Sequence, residues 1–391
     1  MPTRTSKIAK ALLICSIALV GVLFVGPFEA SSNLSNTHGL RFGPPSNAPF
    51  DHIVTILMEN QGLCDVYTGC GGSAAYQSQL ADQNTLVKTW GTINHNSEPN
   101  YIALLGAIND GSTSGDGICC YFEKTPNLID RIEAGGLTWQ AFAEDASNSG
   151  QCSFVPPRSG DHFPFIDFSD MNNATRCSHF QTTASSTDNE FISSLTSSAP
   201  NLVWLTPNDC DNGHDSCNSS SGIAGGDSYL SQLVPRIMSS PLFSATGSKA
   251  ALLILYDEGY TQCNGTGGTG ECVYASFSGP TARKALQISP ANASHYSYLS
   301  MIETAWGLQS INSNDKNAPN MLDAFSACTT NCNSSPPPSS GNGSNNASAG
   351  DLLGLPTSTW LLIIAGLTGL VVVLTVLSIR ARGKLSRART N

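Results

Sequence analysis

Four oxygen-bearing side chains stand in two adjacent pairs, each directly behind a short apolar run. Glu59 and Asn60 follow H-I-V-T-I-L-M at 52–58, and Asp257 and Glu258 follow A-A-L-L-I-L-Y at 250–256. Carboxylates and an amide at such positions suit a hard divalent cation, which takes oxygen ligands. The plainer reading of the first pair is a loop start at Glu59 and a turn at Asn60. Between the pairs lies Ser97, in N-H-N-S-E-P-N-Y at 94–101. Pro99 fits the first turn of a helix, so Ser97 falls at or just before a helix N-terminus. A serine there is either an N-cap or, beside a bound cation, a hydroxyl that loses its proton readily and attacks an electrophile. The same helix end offers N–H groups and a positive dipole to a phosphate. The chemistry these residues would perform together is attack on a phosphate ester.

The elements that must position them follow from the pattern. A near-continuous apolar run of this length marks a parallel strand covered on both faces. Its C-terminal end is where open α/β sheets hold ligands. Further strands are expected at 85–89, 137–143, 201–206 and 272–277, and helices at 102–108, 125–134, 188–195, 226–239 and 295–308. Residues 144–187 lack periodicity. Strands alternating with helices predict an α/β fold, an α/β/α sandwich with a mainly parallel central sheet.

Composition places this domain outside the cell. Residues 1–30 carry Arg4, Lys7 and Lys10 ahead of an apolar run, as a signal peptide or N-terminal signal anchor does. Residues 360–379 are uncharged and long enough to span a bilayer. The basic tail at 380–391 stays cytoplasmic by the positive-inside rule. The Ser/Pro/Gly/Asn-rich segment at 333–355 reads as a stalk, which leaves 50–332 as the catalytic domain. Thirteen cysteines point the same way. Close pairs at Cys64/Cys70, Cys210/Cys217, Cys263/Cys272 and Cys328/Cys332 suggest disulfides in an oxidising compartment rather than a zinc site. Asn33, Asn173, Asn218, Asn264, Asn292, Asn333, Asn342 and Asn346 stand in glycosylation sequons. Charged residues make up only 12% of the chain, against roughly 25% usually. Residues 31–350 hold 11 Lys+Arg and 27 Asp+Glu, a net charge of 11 − 27 = −16. That excludes nucleic acid as a bulk partner. It leaves room for a phosphate ester where a bound cation inverts the local field.

Seven stretches, in order, resemble the phosphoesterase family that contains acid phosphatases and phospholipases C, within the alkaline-phosphatase-like superfamily. They are H-I-V-T-I-L-M-E-N at 52–60, S-E-P-N-Y at 97–101, N-L-I-D-R-I-E-A-G-G-L-T-W-Q-A-F-A-E-D at 127–145, D-H-F-P-F at 161–165, P-N-D-C-D-N-G-H-D at 207–215, L-Y-D-E-G at 255–259 and H-Y-S-Y-L-S-M-I-E at 295–303. The resemblance implies an alkaline-phosphatase-like fold. It implies Glu59, Asn60, Asp257 and Glu258 as metal ligands, with Ser97 beside the metal as nucleophile. Related phospholipases fill that serine's slot with threonine. His162 and His214 are implied as histidines facing the phosphoryl group, and His295 as a further catalytic candidate whose helix could instead simply pack on the sheet. Other superfamily members hold two zinc ions and use an Asp-His pair. Here the matching pair is Asp257–Glu258, which implies one divalent cation per chain, Mg²⁺, Ca²⁺ or Mn²⁺ rather than Zn²⁺. His95 fits no part of the pattern and reads as a surface histidine.

Three functions fit these observations. One is a single-pass cell-surface phosphatase acting on small monoesters. Another is a phospholipase C-type diesterase acting on lipid head groups. The last is a surface protein that keeps the fold without catalysis.

Overall fold

The computed structural model describes residues 43–110, 119–156, 158, 161–217, 220 and 222–326. These all belong to one unit of the chain, Met1–Ser335; a second, Pro336–Asn391, lies outside them. The expected signal segment, stalk, membrane helix, basic tail and Cys328–Cys332 pair lie outside the described residues. Among the described residues no helix is long and apolar enough to cross a membrane.

The core is a single eight-stranded sheet: β1 (His52–Met58), β2 (Thr85–Val87), β3 (Trp139–Glu144), β4 (Phe180–Thr183), β5 (Leu202–Thr206), β6 (Ala250–Tyr256), β7 (Ala275–Ser278) and β8 (Leu286–Ile288). Its order is β4-β3-β5-β1-β6-β7-β2-β8. β1 lies at the centre, parallel to β5 with Ile53 opposite Leu202 and to β6 with His52 opposite Ala250. Every residue of β5 and β6 is buried, and all of β1 after His52. That is the signature of a sheet covered on both faces, and the α/β expectation holds. The principal helices are α1 (Ala75–Gln83), α2 (Ser97–Gly106), α3 (Leu128–Ala134), α4 (Gly222–Ser239) and α5 (Tyr296–Trp306).

Several expected boundaries move. The strand at 272–277 forms as β7 and runs antiparallel to both neighbours. The helix at 102–108 begins five residues earlier, at Ser97, and stops where Ala107 turns left-handed at φ 53°. β4 and β8 were not foreseen, since F-Q-T-T and L-Q-I are too short to show a period. The expected pairs Cys64–Cys70, Cys210–Cys217 and Cys263–Cys272 are bonded, as are Cys152–Cys177 and the adjacent Cys119–Cys120. The sequon asparagines Asn173, Asn264 and Asn292 are exposed.

The buried face of α5 carries Glu303, whose two carboxylate oxygens accept no hydrogen bond. Burial, then the neighbouring Asp315, pushes its pKa up to about 9. A folded pKa above the unfolded value of about 4.3 means stability fully present below pH 4.3 and lost as pH rises through about 9. Glu303→Gln should therefore stabilise the protein at neutral pH, on the order of 3 kcal/mol at pH 7. The gain should shrink to nothing near pH 4, as read from urea unfolding at a series of pH values.

Candidate active site

The C-terminal ends of β1 and β6 are stitched to each other. Asp257 N–H donates to the Met58 carbonyl at 3.0 Å, and Asn60 N–H donates to Asp257 Oδ1 at 2.9 Å. Asn60 sits at φ 61°, a conformation its side chain tolerates. Glu59 N–H donates to the Asn212 carbonyl at 2.9 Å, which ties β1 to the loop after β5. Glu59 and Asp257 are fully buried, and Glu258 is 8% exposed. Burial, then the charge of Asp257, raises the Glu59 pKa well above the carboxylate range; burial likewise raises that of Asp257. Asp257 Oδ2 accepts no hydrogen bond.

Ser97 is the first residue of α2, with Asn96 as the cap. Its hydroxyl donates toward Glu59 Oε2 at 3.1 Å and Glu258 Oε1 at 3.3 Å. The loop before it is fixed by buried Asn100. Asn100 Oδ1 accepts from the N–H groups of Ile93 and Asn94, and its Nδ2 donates to the carbonyls of Asn94 and Asn96.

His162 is buried beside these groups. Its Nε2 lies 3.3 Å from Glu59 Oε1 and its Nδ1 lies 3.5 Å from Asp209 Oδ1. The Tyr101 ring stacks on it, with centroids 5.3 Å apart and planes 9° apart. The His214 ring follows at 5.9 Å. His214 Nδ1 is 2.7 Å from Asp215 Oδ1, and Arg158 Nη1 is 2.8 Å from His214 Nε2 and 3.1 Å from Asp209 Oδ2. Burial opposes ionisation of Asp209, but the hydrogen bond and charge of His162 and the charge of Arg158 outweigh it and hold its pKa at about 2. Asp209, His214 and Asp215 also bring ligand atoms within 4.8 Å of one another, a group that could hold a metal ion.

Of the expected site residues, Glu59, Ser97, Glu258, His162 and His214 thus form one chain of neighbours. Asp257 joins through Asn60, whose backbone N–H it accepts. His295 stands apart. It caps the start of α5 and is fully buried, with both ring nitrogens committed. Trp90 Nε1 donates to its Nδ1 at 3.2 Å, and Nε2 donates to the Asp257 backbone carbonyl at 2.5 Å. Those partners fix a neutral tautomer, and burial lowers its pKa to about 4. This geometry favours the packing alternative for His295, which lies beneath the end of β6. His95 is a surface residue as expected, 3.2 Å from Glu271 and edge-on to exposed Tyr260. Sequence reasoning missed Arg158, Asp209 and Asp215. The two aspartates lay inside the quoted P-N-D-C-D-N-G-H-D stretch, and Arg158 is a lone cation four residues before His162.

A family model described as the Phosphoesterase family matches residues 71–309. The chain belongs to that family. It is 24% identical to a probable acid phosphatase of Kluyveromyces lactis over 300 residues, 72% of this chain and 64% of that one. It therefore spans less than two thirds of that relative's length. It is 26% identical to a phosphatidylinositol-3-phosphatase of Mycobacterium tuberculosis over 302 residues, 75% of this chain and 88% of that one. Among solved structures, a Vibrio parahaemolyticus protein of the alkaline phosphatase superfamily aligns at TM-score 0.48 and 10% identity, covering 71% of this chain and 72% of that one.

If His295 supports rather than reacts, its loss acts on stability. His295→Ala removes a buried donor and opens a cavity, which should cost about 2–4 kcal/mol. His295→Gln should cost less. Denaturant unfolding reads the difference, and equal stability of all three proteins would remove the supporting role.

Proposed function

We propose that the protein hydrolyses phosphate esters as a divalent-metal-dependent, acid-phosphatase-like enzyme with Ser97 as its nucleophile. The observation that carries this reading is the Ser97 hydroxyl, held at the start of α2 within hydrogen-bond distance of Glu59 and Glu258. The K. lactis relative's name supports the reaction class.

The strand-end residues fit a hard cation. Buried Glu59, Asp257 and Glu258 bring negative charge together, and Asp257 Oδ2 is left without a donor. Glu59, Asn60, Asp257 and Glu258 would hold the ion, with Ser97 beside it, and the donor set favours Mg²⁺, Ca²⁺ or Mn²⁺. Bound there, it would neutralise the carboxylates and make the hydroxyl more acidic. The chain's own groups do the rest. Ser97 Oγ forms a bond to phosphorus as the ester oxygen leaves. The first turn of α2 offers N–H groups to the phosphoryl oxygens. Arg158 supplies a guanidinium suited to phosphate. His214, whose Nδ1 faces Asp215, serves as general acid once the phosphoryl group draws Arg158 off its Nε2 and that nitrogen takes up a proton, and water then hydrolyses the phosphoserine. His162, clamped between Tyr101 and Asp209, positions Glu59.

The disulfides of the described domain support an extracellular setting. The apolar segment 360–379 and basic tail 380–391 support anchoring of that domain at the cell surface. A lipid phosphomonoester is a second substrate class, favoured by the M. tuberculosis relative's name. Parallel assays on p-nitrophenyl phosphate, bis-p-nitrophenyl phosphate, phosphatidylcholine and phosphatidylinositol 3-phosphate separate monoesterase, diesterase and lipid phosphatase. No turnover of any would support the non-catalytic surface protein.

Ser97→Ala should lower turnover by about 10³-fold or more and abolish phosphoserine trapping. The protein should stay folded, since losing a polar side chain at a helix start costs about 1 kcal/mol. Near-normal turnover by the folded variant would mean that water attacks directly. Chelation should abolish activity, with recovery on adding Mg²⁺, Ca²⁺ or Mn²⁺. Full activity in a verified metal-free preparation would end the metal reading.

A further inference from the structure

A second acidic concentration lies on the same edge of the sheet, away from Ser97. Glu144 ends β3, Asp188 follows β4 and Asp211 follows β5. These three strands are neighbours and parallel, so the three carboxylates meet at adjoining strand ends. Asp188 and Asp211 line a cavity of about 270 Å³, whose walls also include Tyr229, Ser228, Gln232 and Arg236. Asp188 is 3% exposed and Tyr229 8% exposed, yet Asp188 Oδ1 and Tyr229 Oη have no hydrogen-bond partner. Behind them Glu144 is fully buried. Its Oε2 accepts from Asn208 N–H at 2.8 Å, while Oε1 is unpartnered. The one cation in the wall, Arg236, directs its guanidinium to the Thr187 carbonyl and to Asn189 Oδ1.

Asp188 and Tyr229 are buried against this cavity with one orphaned oxygen each, and Asp211 adds a second carboxylate to its wall, a set that suits a positive guest. We propose that this cavity binds a divalent cation of the calcium type, separate from the catalytic ion, through Glu144, Asp188 and Asp211. The donors are all oxygen, and the phenol of Tyr229 adds another. With two carboxylates in the cavity wall and a third behind them, the ion keeps part of its water. Calcium's six to eight oxygen ligands and loose geometry allow this. Burial, then the charges of Asp188 and Asp211, raises the pKa of Glu144, and burial takes that of Asp188 to about 6.

The loop at 207–217 separates this cavity from Ser97. Asp211 and the Cys210–Cys217 disulfide face the cavity, while Asp209 and His214 reach toward His162. An ion here would clamp the loop that carries those two residues.

The test counts calcium bound per full chain by equilibrium dialysis. Wild type should bind one more ion than Asp188→Asn or Glu144→Gln. Glu59→Gln should keep this ion while losing the catalytic one, and calcium should still raise its unfolding temperature. Equal counts in wild type and Asp188→Asn overturn the proposal, as does loss of all calcium in Glu59→Gln. Should the carboxylate variants fail to fold, terbium serves as probe. Tyrosine-sensitised emission that falls in Tyr229→Phe supports the site, and unchanged emission overturns it.

Discussion

Among the described residues ten carboxylates are buried, and no lysine or arginine is. Desolvation penalises each of those charges unless a donor, a proton or a cation compensates. The architecture concentrates several of them at one place. Parallel strands β1 and β6 end side by side, so the residues that follow them, Glu59 and Asp257, are forced together. The Met58 carbonyl and Asn60 N–H are consumed in joining the two strand ends. They leave Asp257 Oδ2 with no donor at all. Ser97, Tyr101, His162 and His295 are arranged around this charge, and each makes sense only as a response to it. The serine hydroxyl donates to two of the carboxylates. His162 links one of them to Asp209, and neutral His295 donates to the backbone carbonyl beneath another.

The outer ring of the site answers the same constraint differently. Asp209 is partly exposed and has Arg158 and His162 as neighbours. It therefore stays ionised, where Glu59 nearby favours its proton. Two carboxylates linked by one imidazole thus differ sharply in charge state, because Glu59 is fully buried beside Asp257 while Asp209 is partly exposed beside His162 and Arg158. On the proposed mechanism, that asymmetry would let one region hold a cation while the adjacent one orients a phosphoryl group.

How much of this was legible depends on what each residue reports. β1 and β6 were plain because strands buried on both faces read as unbroken apolar runs. Their endings in Glu59 and Asp257 followed directly. β4 and β8 were invisible, being too short to show a period. The reversed direction of β7 has no local signature. Cys152–Cys177 closes across 25 positions, a pairing that spacing cannot specify. Arg158 and Asp209 meet only through the fold, since 51 positions separate them. The sequence left both roles of His295 open because burial, not residue type, decides whether an imidazole reacts or supports.

The buried acids also set a direction for the metal-free fold. Glu144, Asp167 and Glu303 all have pKa values raised by burial first. Each contributes stability that is complete below its unfolded pKa and falls as pH rises toward the folded value. Asp209 has the opposite sign: its contribution holds above the unfolded value and is lost as pH falls toward about 2. Neutral His295, whose pKa burial lowers to about 4, likewise loses its contribution as pH falls, while protons reinforce the fold at the raised carboxylates. A bound cation does the same work by neutralising the carboxylates in their ionised form. Protons and divalent ions are then alternative occupants of the same buried charge, and ion binding must weaken as acidity rises. A catalytic ion held as proposed at Glu59, Asp257 and Glu258 would therefore bind less firmly as pH falls.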